Sequence, residues 1–221
     1  MTDTQIFDAD GRAIPFAVEG DGPALVLIAG LGLRIDYLGA LAHSVSEEDF
    51  RVVRLGTRRA PSDPSASVTM SQLAQDVVDV LDELGIADAW IGGHEFGGAV
   101  ARIVALEHAD RVNGVLLLGV DEPASSPGAV EAPEHLRDDA VAQMQRSARG
   151  AAQLPPLAPA VPVLVIQGTE DPVAPAANGD ALQAAVPDRV SVVRVEGGGH
   201  LFPATHVGAT SWAIEDYLDW D

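Results

Sequence analysis

The sequence predicts a doubly wound α/β fold, a mostly parallel sheet with helices on both faces. Three observations predict it. Apolar runs without alternation, "ALVLIA" at 24–29, "GVLLLG" at 114–119 and "VPVLVIQG" at 161–168, have the length of strands covered on both sides. Stretches of helical periodicity separate such runs, so strand and helix alternate and right-handed crossovers follow. A glycine-rich turn, "IGGHEFGGAV" at 91–100, comes directly after one strand and opens a helix.

The chain opens as a strand pair, Gln5 to Phe7 and Ala13 to Glu19, joined at Asp10-Gly11, a strong turn signal. "GDGP" breaks the chain before "ALVLIA", and "RVVRL" (51–55) is the next strand. Past a Pro/Ser-rich loop, Thr69 with Gln72 three residues on makes a capping-box pattern. Leu73, Val77, Leu81 and Leu84 then keep helical spacing, and Gly85 can close the helix in a left-handed cap.

"ADAWIG" (87–92) reads as a strand with Trp90 in the core, followed by a helix from about Gly97 to His108 and by "GVLLLG". "VPVLVIQG" precedes a helix near Pro175 to Val186. "VSVVRV" (190–195) precedes a C-terminal helix from about His206 to Leu218, with Trp212, Ile214 and Leu218 on its buried side. Residues 120–160 break the rhythm with prolines at 123, 127, 133, 155, 156 and 159 and a polar helix candidate near Glu134 to Arg149. That stretch reads as a short lid inserted in a single domain spanning 1–221.

With 221 residues and 47% apolar content, the chain can bury one full core. No apolar run approaches a membrane span, and "MTDTQIFDAD" has neither a basic start nor an apolar signal segment, so a cytoplasmic protein is expected. Cysteine is absent, which removes disulfides, thiolate metal sites and cysteine nucleophiles together. The six histidines are scattered with no HxH or HExxH pair, so neither metal nor cofactor is expected. A formal charge of -20, from 33 acidic and 13 basic residues, disfavours nucleic acid and anionic lipid as partners. The expected partner is a small-molecule substrate, with the oligomeric state left open.

Gly93-x-Glu95-x-Gly97 has the strand-turn-helix context of a nucleophile elbow, in which flanking glycines permit a strained central residue with its side chain exposed at a helix N-terminus. That end of a helix favours an anion. "GTEDPV" (168–173) lies just past a strand end and supplies Asp171, and "EGGGHLFP" (196–203) lies past the last strand and supplies His200. With "VLIAGLG", "GGHEFGG", "GTEDPV" and "GGGH" in this order, the chain resembles the α/β-hydrolase superfamily from about Pro23 to Leu218, outside the 120–160 insert.

The resemblance implies roles. Glu95 aligns with the nucleophile, His200 with the base and Asp171 with the acid that orients it, with Asp121 as an alternative acid. The backbone N–H groups of Leu31 and Phe96 align with the oxyanion donors, and His94 takes a structural position. The sequence departs from the family pattern in three places: Glu95 stands where serine is usual, Ala29-Gly30 where His-Gly is usual, and "GTRRAPS" replaces a glycine-rich loop. Arg58 and Arg59 read as a solvated pair.

Members resembling epoxide hydrolases and haloalkane dehalogenases carry aspartate at the elbow, where the carboxylate forms an ester at a saturated carbon. Glutamate offers that chemistry with longer reach. His200, held between ionised Glu95 and Asp171, would rest protonated and become a base once Glu95 is esterified. The lid has no tyrosine to protonate a leaving oxygen, and Phe96 stands where dehalogenases place tryptophan. The implied function is a hydrolase of an epoxide, ester or lactone. Two alternatives stay open: an inactive binding protein in which Glu95 and His200 form a static ion pair, and proton-transfer chemistry with Glu95 as base.

Overall fold

A computed structural model describes residues 2–63, 67–120, 132–150 and 154–218. Among them, eight strands form one sheet in the order β1-β2-β4-β3-β5-β6-β7-β8. These are β1 (Gln5–Phe7), β2 (Ile14–Glu19), β3 (Ala24–Ile28), β4 (Arg51–Leu55), β5 (Ala89–His94), β6 (Val112–Leu118), β7 (Val163–Gly168) and β8 (Val190–Val195). The pairs β1–β2 and β2–β4 are antiparallel, and every pair from β4 to β8 is parallel. The strand at "ADAWIG" begins two residues later than the composition suggests and runs on through His94, so the sheet extends to the elbow itself.

Alternation along each strand sorts the core into two layers. Val26, Ile28, Val53, Leu55, Ile91, Val115 and Leu117 pack on one face with helices α2 (Met70–Glu83) and α3 (Phe96–Glu107). Leu25, Leu27, Val52, Trp90, Leu116 and Leu118 pack on the other with α1 (Gly39–Ser46) and, from the C-terminal end, Ala213, Ile214 and Leu218. Helix α2 begins at the expected place, with both halves of the Thr69–Gln72 capping box formed and Gly85 at φ +64 beyond its end.

Helix α1 has no counterpart in the sequence reading. Its segment, GALAHSVS, starts on glycine with no side-chain cap and forms because Leu41, Ala42 and Val45 are buried against the sheet. The lid candidate resolves into a 3-10 turn at Glu134–Leu136 and helix α4 (Asp139–Arg149), capped by the Asp138 carboxylate accepting from Val141 N at 3.1 Å. Helix α5 (Ala176–Ala185) covers β7 and β8, and a short α6 (Phe202–Thr205) precedes α7 (Val207–Leu218).

Two expectations fail in instructive ways. Trp212 is 61% exposed, whereas Ile214 and Leu218 are buried, because the apolar stripe of α7 rotates Trp212 away from α1. Arg58 is not solvated: its guanidinium forks the Asp76 carboxylate at 2.6 Å through both Nε and Nη2, and Arg12 adds a contact at 2.8 Å. Arg12 also pairs with Asp79, so two arginines on loops are tied to two acids on α2. Arg59 is exposed, as expected.

Chemical denaturation distinguishes the two sides of α7. Trp212→Gln is expected to change stability by no more than about 0.5 kcal/mol, whereas Ile214→Ala should cost roughly 2–5 kcal/mol by opening a cavity in the sheet-facing layer.

Candidate active site

Glu95 sits between β5 and α3 at φ 47 and ψ -103, a region that non-glycine residues rarely enter and that costs on the order of 1–3 kcal/mol. Its neighbours allow this. A Cβ on Gly93 would stand 2.1 Å from the Gly97 carbonyl carbon, and one on Gly97 would stand 2.3 Å from the Ile28 oxygen. Both positions must therefore be glycine for strand and helix to approach so closely. The Glu95 N–H donates to the Leu118 carbonyl at 2.9 Å, anchoring the turn to β6.

The buried Glu95 carboxylate points toward the loop after β3 rather than toward the imidazole. Oε2 accepts the Leu31 N–H at 2.9 Å, and Oε1 lies 3.5 Å from Nη1 of Arg149 on α4. Leu31 is one of three consecutive donors with side-chain acceptors. Gly30 N–H donates to the Tyr37 hydroxyl at 3.0 Å and Gly32 N–H to Oε1 of Gln145 at 2.6 Å. Gln145 is almost fully buried and its amide donates to Thr57 Oγ1 at 2.7 Å, so α4 is fastened to the loops after β3 and β4 together.

His200 and Asp171 meet as the motifs imply. His200 Nδ1 lies 3.0 Å from Oδ2 and 3.1 Å from Oδ1 of Asp171. Asp171 also accepts backbone N–H groups of Val173 and Ala174 at 2.8 and 2.9 Å. Burial opposes ionisation of this carboxyl, but the His200 ring and the two N–H donors outweigh it and hold Asp171 below the usual carboxylate range. The opposite ring atom, His200 Nε2, is buried and makes no hydrogen bond. Among the described residues the static Glu95–His200 ion pair is thus not formed, and Arg149 is a cation beside Glu95. Asp121 falls outside the described residues.

His94 joins these parts from behind. A carbonyl only accepts, so the 2.9 Å contact of His94 Nε2 with the His200 oxygen requires a proton on Nε2. Nδ1 is then the acceptor for the Tyr37 hydroxyl at 3.0 Å. Burial, with the nearby His200 ring adding to it, pushes His94 down to about 3, and burial likewise raises Tyr37, so the ring stays neutral and the hydroxyl keeps its proton.

The cavity beside Glu95 has room for about one water and is walled by Gly98, Ala99, Arg102, Leu117 and Val120. A larger groove of about 540 Å3 lies between Leu33, Thr57 and Val141. Among the described residues no three His, Asp or Glu side chains group to hold a metal ion, and no helix is long and apolar enough to cross a membrane.

A family model described as alpha/beta hydrolase fold matches residues 23–158, and one described as TAP-like protein matches 138–220. The chain belongs to the α/β hydrolase fold family. The sn-1-specific diacylglycerol lipase ABHD11 of Mus musculus is 28% identical over 131 residues, which are 55% of this chain and 42% of the relative. Epoxide hydrolase 3 of Siraitia grosvenorii is 28% identical over 120 residues, 51% of this chain and 37% of the relative. The matches therefore span about two-fifths of those relatives' length. The enol-lactonase from Burkholderia xenovorans superposes with a TM-score of 0.79 over 97% of this chain and 100% of its own, at 23% identity, a likeness of fold.

Within this α/β hydrolase fold, Tyr37, Gln145 and Arg149 escaped the sequence reading as parts of the site. Ala142, Gln145 and Arg149 share one face of α4 by their spacing, and that polar face would pass for a solvated one until α4 is placed. Tyr37 gave no local signal, since its partner His94 lies 57 residues away.

The buried His94 yields a pH prediction. Its folded value of about 3 lies below the free value of 6.5, so the unfolded chain binds the extra proton and stability falls as pH drops from 6.5 toward 3. Asp171, also lowered, adds loss in acid with the same sign. Denaturant midpoints measured across that window should fall less steeply in His94→Asn than in the parent, although the variant starts from a lower stability.

Proposed function

We propose that this protein is a hydrolase of small organic electrophiles, of the epoxide, ester or lactone class, in which Glu95 is the attacking group and, with an epoxide, passes through a glutamyl ester. The observation that carries the reading is the 2.9 Å hydrogen bond from Leu31 N–H to Glu95 Oε2. It holds one carboxylate oxygen on an oxyanion donor, and the other, Oε1, is the attacking atom. Once Oε1 is esterified, Oε2 becomes the carbonyl oxygen, already seated where negative charge develops when water adds.

The steps balance as follows for an epoxide. Oε1 bonds to a ring carbon, the ring C–O bond breaks, and its electron pair leaves on oxygen as an alkoxide. Water adds to the Glu95 carbonyl carbon while His200 Nε2, oriented through Nδ1 by Asp171, takes one of its protons and delivers it to the alkoxide. The tetrahedral adduct, with its charge on Oε2 beside Leu31 N–H, expels the product oxygen, which takes the remaining proton. Carboxylate chemistry favours attack at a saturated carbon, since attack on an ester or lactone carbonyl gives a less stable anhydride. Two relatives fit this range, being named a diacylglycerol lipase and an epoxide hydrolase.

Single turnover in heavy-oxygen water tests the proposal. The expected result is label in the Glu95 carboxylate after one turnover, with no adduct mass in Glu95→Gln. Confirmed turnover with an unlabelled Glu95 would move the reaction to proton transfer, and an absence of both turnover and adduct would leave the binding protein as the reading.

A further inference from the structure

We propose that Arg149 is a catalytic residue that receives the leaving oxygen of an epoxide substrate, an assignment that rests on the glutamyl-ester reading above. Its Nη1 lies 3.5 Å from Glu95 Oε1, the oxygen left over when Oε2 is held by Leu31. Its side chain is only 17% exposed and is carried on α4, which Gln145 pins to the oxyanion loop and to Thr57. The guanidinium is therefore fixed beside the line of attack.

Charge balance gives this position its meaning. Before attack, the negative charge is on Glu95 and Arg149 neutralises it. An ion pair that served only the ground state would restrain the nucleophile and slow the reaction. As Oε1 bonds to carbon, the carboxylate charge disappears and an equal charge appears on the departing ring oxygen, within a few ångströms. A guanidinium has several N–H donors in one plane and can transfer its hydrogen bonds from the first oxygen to the second without moving its own charge. A guanidinium does not serve as a proton donor in proteins, so Arg149 stabilises the alkoxide by hydrogen bonding, and the proton that finally neutralises the alkoxide is the one His200 takes from water. The lid has no tyrosine for this task, the chain's two being Tyr37 and Tyr217.

The test compares two reagents that alkylate the same carboxylate but differ in what departs. Styrene oxide generates an alkoxide, whereas iodoacetamide releases iodide, which needs no hydrogen-bond donor. The chain has no cysteine to consume iodoacetamide. Adduct on the peptide bearing residue 95 is followed by mass spectrometry after acid quench, with Glu95→Gln as the blank and circular dichroism as the check on folding. In Arg149→Ala, styrene oxide labelling should slow by about a hundredfold, while iodoacetamide labelling holds or quickens because the carboxylate has lost its counter-ion. Arg149→Lys should lie between, and added guanidinium ion should restore part of the styrene oxide rate in Arg149→Ala. Equal slowing with both reagents would overturn the assignment and leave Arg149 as a structural partner, with the glutamyl-ester reading intact. Failure of both reagents to reach Glu95 in the parent protein would remove that reading and the Arg149 assignment with it.

Discussion

The site depends on one turn of backbone that the rest of the fold must hold open. At φ 47 the main chain at Glu95 is strained, and nothing local rewards that conformation. What keeps it is the closeness of β5, α3 and β3, possible only where Gly93 and Gly97 lack side chains, together with the bond from Glu95 N–H to the Leu118 carbonyl. With the turn fixed, the carboxylate is delivered to Leu31 N–H, and the two neighbouring N–H groups are secured by Tyr37 and Gln145. Consecutive donors in one short loop are thus claimed by acceptors from three different parts of the chain, which leaves the loop little freedom to reorganise.

That arrangement couples the site's components. Tyr37 ties the loop after β3 to His94, His94 ties the elbow to the His200 carbonyl, and Asp171 contacts the His200 ring from the other side. Each contact is short and buried, so few alternative patterns compete. Arginines carry all the basic charge of a strongly acidic chain, and several are placed against specific acids: Arg12 and Arg58 on Asp76, Arg54 on Glu19, Arg149 on Glu95. A planar guanidinium suits such places because it satisfies a carboxylate with more than one bond.

The strands were legible in the sequence because a strand covered on both faces is mostly apolar, and "ALVLI", "RVVRL" and "VLVIQG" lie where composition puts them. Helix α2 was legible because its capping box and apolar stripe are local chemistry. Helix α1 was not, since neither cap nor strong stripe marks it and burial against the sheet is what makes it helical. Trp212 misled for a related reason: a large apolar side chain at the edge of a stripe is assigned to the core by its type, whereas the docking of α7 on α1 decides its exposure.

The sequence alone determined the doubly wound architecture and the elbow with a carboxylate at its tip, because periodicity and glycine-flanked turns act over a few residues and strand ends gather on one edge of a parallel sheet, whereas the family resemblance implied an acid for His200 and left Asp171 and Asp121 both open. Only the tertiary structure decided where the carboxylate points, that it takes the Leu31 donor and the Arg149 cation rather than the imidazole, and that Tyr37 and Gln145 brace the loop between them. Those contacts join residues dozens of positions apart, and their geometry is set by how whole elements pack, which no short stretch of sequence encodes.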